Sequence, residues 1–282
     1  MGLEGILTAM VTPFDAEGGV DEGAFVRLLH HLLEHGSDGV VVCGTTGESP
    51  TLSDSEKERL WRLAVAEAGG APVVAGTGTY DTEHSKRLTR AATDAGVDAV
   101  LVVTPYYNKP NERGIVAHFE AVAGATDRPV VVYNIPSRCV VDIPNDLLAR
   151  LAEIPNVAAV KQANNENLAP VEGLAILAGN DENLADTLDM GGPGGILVAS
   201  HIVGAAMRRM IDEPDRRREI NDSLLDVYEA LAVTSNPIPV KAALRMLGHD
   251  VGGHRLPLVD ASAEEQAVIR ASLERHGLLS TV

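Results

Sequence analysis

Along its first 213 residues this chain repeats one beat, a short apolar run followed by a stretch of helical periodicity, and that beat constrains the fold more than any other feature. The runs, rich in Val, Ile and Ala, fall at 5–11, 39–43, 72–75, 99–103, 129–133, 157–161, 174–178 and 195–199. Helical stretches follow at 21–35, 53–68, 82–95, 112–125, 144–153, 168–172, 181–190 and 201–212. Near-continuous apolar runs are what parallel strands covered on both faces require, and starts spaced by roughly 20 to 35 residues suit right-handed βα units. Eight such units are the number of a closed (β/α)8 TIM barrel in the α/β class. A doubly wound open sheet normally shows a glycine-rich phosphate turn after its first strand, and TPFDAEGG, which follows Val11, has no such fingerprint. Beyond 213 the beat stops. Residues 214–282 carry only helical pattern, at 216–233, 239–247 and 263–276, and are expected to form a C-terminal helical region appended to a 1–213 barrel, as a cap or as part of an assembly contact.

Charge narrows the possible partners. A formal net charge of −17 with no run of Lys or Arg argues against nucleic acid or an anionic membrane surface. Such a chain also repels a small anionic substrate, so an anion site must be built from local donors. The two cysteines, Cys43 and Cys139, lack metal-ligand spacing and read as buried thiols. No apolar run reaches the length of a spanning helix and the N-terminus lacks a cleavable apolar stretch, so a soluble, cytoplasmic protein is expected.

Chemistry enters with VAAVKQAN, where a buried strand delivers Lys161 to its C-terminal end. Lysine is seldom buried unless paired or functional, because removing an ammonium from water is costly. A strand-end lysine whose head reaches solvent is the plain alternative. Barrel enzymes build their sites at the C-terminal strand ends, and polar residues collect at those ends here. Strand two runs into Gly44-Thr45-Thr46-Gly47-Glu48-Ser49, a tight turn whose amides and hydroxyls suit a carboxylate. Strand four ends in Thr104-Pro105-Tyr106-Tyr107 and strand five in Tyr133-Asn134-Ile135-Pro136-Ser137-Arg138. Three of the chain's five tyrosines therefore lie at two strand ends facing a lysine, which points to proton relay rather than packing. Arg138, placed in a loop, is the natural receptor for a carboxylate. Asp181 reads as a helix cap, and His201 as a helix-start or supporting residue rather than a general base. A lysine nucleophile attacking the ketone of a 2-oxo acid, with a tyrosine shuttling protons, gives an imine and then an enamine that adds to an aldehyde. That chemistry needs neither metal nor cofactor, and no motif for either is visible.

At these residues the chain resembles the dihydrodipicolinate synthase and N-acetylneuraminate lyase family of class I aldolases. The likeness runs through LTAMVTPF, GTTGES, GTGTYDT, TPYYNKP, YNIPSR, VKQA, AGND, SNPIPVKAAL and RLPL, so it covers essentially the whole length. It is nearer to the synthase branch, which implies condensation of pyruvate with L-aspartate 4-semialdehyde on the route to lysine and diaminopimelate. The resemblance implies that Lys161 forms the Schiff base, that Tyr133 transfers protons, and that Thr45 links Tyr133 to a Tyr107 contributed by a neighbouring subunit. It further implies that Thr46 holds the pyruvate carboxylate, that the backbone at Gly179 and Ile196 lines the same pocket, and that Arg138 binds the semialdehyde carboxylate. A subunit-crossing tyrosine requires at least a dimer, and the family is usually a homotetramer, a dimer of dimers. The runner-up is an aldolase for a 2-keto-3-deoxy sugar acid or N-acetylneuraminate, whose members typically lack Arg138; a catalytically silent 2-oxo acid binder is a distant third. Gln162 and His201 depart from the family's common residues, as do Asp54, Lys57 and His84 around the site where feedback-inhibited members bind lysine, so weak or absent inhibition by L-lysine is expected.

Overall fold

The computed structural model describes residues 3–279. Eight strands, β1 (Gly5–Ala9), β2 (Gly39–Val42), β3 (Val73–Gly76), β4 (Ala99–Val103), β5 (Val130–Asn134), β6 (Val157–Gln162), β7 (Ala175–Ala178) and β8 (Gly194–Leu197), pair in parallel in chain order and close on themselves. The intervening helices are α1 (Glu22–Glu34), α2 (Asp54–Glu67), α3 (Thr82–Ala95), α4 (Glu112–Ala123), α5 (Pro136–Cys139), α6 (Asn145–Leu151), α7 (Leu184–Asp189) and α8 (Ser200–Asp212). They are followed by α9 (Arg217–Leu231), α10 (Ile238–Met246) and α11 (Ala263–Arg275). The expected barrel with its C-terminal helices is therefore present.

Alternation along the strands sorts the core into two layers. Leu7, Ala9, Val41, Val74, Leu101, Val131, Tyr133, Ala159, Leu177 and Ile196 fill the barrel interior. Their strand neighbours Ile6, Val40, Val42, Val73, Val100, Val102, Val132 and Val160 face outward into an apolar layer that continues through α9 to Ile220, Leu224 and Val227. Helix starts follow local capping chemistry: the Asp21 carboxylate accepts from the Ala24 amide, and Ser53 and Glu56 form a capping box on α2.

Two local expectations are corrected. No helix forms over 168–172; a 3₁₀ turn spans Asn165–Asn167, and Val171 bridges Leu174 in antiparallel fashion. Pro170 disfavours the helical region for Ala169 and donates no hydrogen bond, which outweighs the apolar pattern. Arg138 lies not in a loop but on α5, a single turn begun by Pro136, a residue pre-set for the first helical position.

Two buried histidines make the fold acid-sensitive. His201 Nε2 accepts from the Val11 amide at 3.2 Å while Nδ1 donates to the Val198 carbonyl at 2.8 Å, a pairing only the neutral ring makes. Burial pushes the pKa of both His201 and His118 down to about 4. The unfolded chain takes up these protons near pH 6.5 and the folded chain only near pH 4, so stability falls as pH drops through that window. Each histidine is expected to remove about 3 kcal/mol by pH 4. Urea unfolding between pH 7 and pH 4 checks this: His201→Asn should lose markedly less stability on acidification than the parent, and identical pH profiles would contradict it.

Candidate active site

Register brings the two central residues together. Tyr133 on β5 pairs with Lys161 on β6, both side chains point into the barrel mouth, and Lys161 Nζ lies 4.4 Å from the centre of the Tyr133 ring. Lys161 is only 5% exposed and its ammonium has no hydrogen bond or ion pair among the described residues. A buried amine held beside a phenol and left without a partner is poised toward whatever enters the cavity.

Two cavities meet here. One, of about 490 Å³, is lined by Lys161, Tyr133, Thr46, Gly179, Asp181 and Asn236. The other, of about 240 Å³, contains Thr45 and Lys57 and lies on the far side of Tyr133; Ile135 and Arg138 are common to both walls. The turn 44–49 supplies the carboxylate cradle. Glu48 takes a left-handed conformation (φ 54°), which folds the turn back, and the amides of Thr45 and Thr46 have no acceptor among the described residues. Thr46 Oγ1 accepts from Asn236 Nδ2 at 2.9 Å, so its own proton is free to donate to a ligand. Opposite, a Cβ on Gly179 would sit 2.5 Å from the Gln162 carbonyl oxygen, so only glycine lets the end of β7 approach β6 this closely.

Of the residues read from the sequence, Lys161, Tyr133, Thr46, Arg138 and Gly179 share one cavity, and Thr45 and Tyr133 share the other without a direct hydrogen bond between them. Ile196 is fully buried in the barrel interior and its side chain lines neither cavity. Tyr107 is 89% exposed at φ 71° and reaches neither cavity of its own chain. Asp181 is not a cap. Its carboxylate accepts from the Val198 and Ala199 amides at 2.9 and 3.0 Å, tying the exits of β7 and β8 together, and burial pushes its pKa up to about 6. His201 supports the mouth from behind, as expected, and Gln162 accepts from Asn134 Nδ2 at 3.1 Å, a contact that suits a neutral amide in a buried position.

Sequence reasoning missed Asn236, which reaches Thr46 through its side chain and accepts from Arg138 through its carbonyl at 3.2 Å. The motif SNPIPVKAAL was conspicuous, but nothing in it indicated that residues 75 positions beyond Lys161 return to the same mouth. The same segment brings Lys241, whose ammonium meets Glu48 Oε1 at 2.8 Å and the Gly253 carbonyl at 2.6 Å with both partners of the ion pair fully buried. No group of three or more His, Cys, Asp or Glu with metal-binding geometry occurs among the described residues, and none of their helices is long and apolar enough to cross a membrane.

A closed parallel barrel with an unpaired lysine, a tyrosine beside it and a carboxylate cradle at the strand ends defines a class, the lysine-dependent aldolase-type lyases. Comparison with known proteins narrows it: the family described as "Dihydrodipicolinate synthetase family" matches residues 2–276, and the chain belongs to that family. It is 45% identical to the 4-hydroxy-tetrahydrodipicolinate synthase of Desulforudis audaxviator, over 97% of this chain and 98% of the relative. Among solved structures it is similar to the dihydrodipicolinate synthase of Cyanidioschyzon merolae with lysine bound, at a TM-score of 0.94 and 40% identity, covering 98% of this chain and 99% of the other. It also matches DapA-2 of Bacillus anthracis, at 0.92 and 39%, covering 96% and 97%.

Proposed function

We propose that this enzyme condenses pyruvate with L-aspartate 4-semialdehyde to 4-hydroxy-tetrahydrodipicolinate through a Schiff base on Lys161. The observation that carries the reading is the unpaired, buried Lys161 ammonium against the Tyr133 ring, within a cavity whose wall includes Thr46. Pyruvate's carboxylate takes the Thr45 and Thr46 amides and the Thr46 hydroxyl, which directs its ketone to Nζ. Attack gives a carbinolamine; Tyr133 delivers the proton that lets water leave, and loss of a methyl proton from the imine gives the enamine. The enamine carbon then adds to the aldehyde while Arg138, at the rim, receives the second carboxylate. Family membership and the 45% identical synthase support this choice of substrates. Incubation with pyruvate and borohydride tests the mechanism: a reduced adduct mapped to Lys161 is expected, with turnover of aspartate semialdehyde and not of N-acetylmannosamine or glyceraldehyde. Turnover of a sugar aldehyde alone would keep the chemistry and change the substrate; absence of an adduct would overturn both.

Tyr107 completes the relay from a second copy of the chain, so the active unit is at least a dimer, and a dimer of dimers fits the family. Its exposure and its distance from both cavities of its own chain support this role. Tyr107→Phe is expected to lower kcat by roughly two orders of magnitude, the usual contribution of a positioned proton donor, with the fold intact. Mixing and reassembling Tyr107→Phe with Lys161→Ala protein should restore turnover, since one site in the hybrid then holds both groups; no recovery in verified hybrids would place Tyr107 outside the relay.

A further inference from the structure

Arg138 stands on a short piece of chain that no strand ladder secures. Lys161 and Tyr133 are fixed by the pairing of β5 with β6, whereas α5 is one turn long, has no side-chain cap at its start, and ends at Val140 in a left-handed conformation (φ 62°). Apolar packing holds it only at Ile135 and Cys139, and the exposed Arg138 side chain has one hydrogen bond among the described residues, to the Asn236 carbonyl. Just beyond α5, polar contacts take over. One oxygen of the Asp142 carboxylate accepts from Asn134 Nδ2 at 2.8 Å and from Asn164 Nδ2 at 3.1 Å; the other accepts from Asn167 Nδ2 at 2.8 Å. No Lys, Arg or His pairs with Asp142 among the described residues, so its charge is held by neutral amides. Asn134 Oδ1 also accepts from the Ile143 amide at 3.1 Å, and Gln162 Oε1 accepts from Asn134 and from the Asn164 amide at 3.0 Å. Asn134 and Gln162 directly follow Tyr133 and Lys161 on their strands, and alternation turns their buried side chains to the opposite face of the barrel wall.

We propose that Asp142 is a positioning residue: its carboxylate ties the segment after α5 to the segment after β6 and so sets where Arg138 stands relative to Lys161. The consequence for catalysis rests on Arg138 receiving the second carboxylate, as proposed above; the tie itself does not. Three amides converging on one ionised carboxylate give short, directional bonds. Asparagine at this position cannot reproduce them, because it keeps one acceptor oxygen and turns its own NH2 toward an amide donor.

The test compares full-length parent with the isosteric Asp142→Asn in two readouts. In turnover, KM for aspartate semialdehyde should rise at least about tenfold, while KM for pyruvate, borohydride trapping on Lys161 and kcat stay close to the parent's. That split follows because the distal carboxylate is unchanged by the reaction, so misplacing its receptor weakens ground state and transition state alike. In the second readout phenylglyoxal labels the arginines and peptide masses give the rate at Arg138 relative to the exposed Arg113 of α4, a ratio that should rise severalfold once Arg138 leaves the Asn236 carbonyl. Asn156→Ala serves as the control for mere loosening. It removes three hydrogen bonds to backbone carbonyls ahead of β6, at the opposite end of the barrel, and should lower the melting temperature without moving either readout. An unchanged semialdehyde KM or an unchanged labelling ratio in Asp142→Asn would overturn the proposal, as would equal shifts in Asn156→Ala. If the parent does not turn over the semialdehyde, the function proposed above fails, and the labelling ratio alone decides whether Asp142 holds Arg138 in place.

Discussion

Lys161→Ala is expected to abolish borohydride trapping of pyruvate and to lower kcat by at least about a thousandfold, while leaving thermal stability unchanged or slightly raised. The two halves of that expectation have one cause. The ammonium is buried with no hydrogen bond or ion pair among the described residues and only the face of the Tyr133 ring beside it, so what the native state gains from its charge is small against the desolvation penalty that its removal relieves. A residue kept for packing would behave oppositely, costing stability and sparing turnover. Melting curves and single-turnover kinetics on one preparation distinguish the cases, and substantial activity in Lys161→Ala would sink the mechanism.

The largest stability effect is expected at Glu48 and Lys241. Lys241 on α10 meets Glu48 in the turn 44–49, and both side chains are fully buried. Glu48 Oε2 also accepts from the Arg255 amide at 3.1 Å, and the Lys241 ammonium stands 4.3 Å over the Phe14 ring. Lys241→Met strands a carboxylate in the interior, which costs about 3–5 kcal/mol; the double replacement Glu48→Gln with Lys241→Met removes both charges and should recover much of that loss. The turn that Glu48 anchors carries Thr45 and Thr46, so the single variant should also raise KM for pyruvate. Urea midpoints with the pyruvate KM read both effects. A single variant losing under about 1 kcal/mol would show that the pair holds nothing together.

How legible the molecule was depended on the range of the interactions. The βα beat exposed the barrel because alternation and apolar runs are local consequences of burying a strand on both sides, and Val131, Tyr133, Ala159 and Lys161 declare the inward face by position alone. The helix expected at 168–172 failed where one proline overrode a weak apolar pattern, and Asp181 was misread because a carboxylate at a helix start looks the same whether it caps that helix or ties two strand ends. In Tyr107 the sequence showed a tyrosine at a strand end, whereas its outward direction follows from the left-handed backbone at that residue.

By itself, then, the amino-acid sequence determined the barrel, the strand that carries Lys161 and the turn that carries Thr45 and Thr46, since each is written within a few residues of its own position. Only the tertiary structure decided that Asn236 holds the Thr46 hydroxyl, that Lys241 locks Glu48 from beyond the barrel, and that Lys57 faces a cavity of its own without a counter-charge. The physical reason is separation: these contacts join segments as much as 193 residues apart, and whether a charge is paired or alone in the interior depends on chain closure that no local pattern encodes.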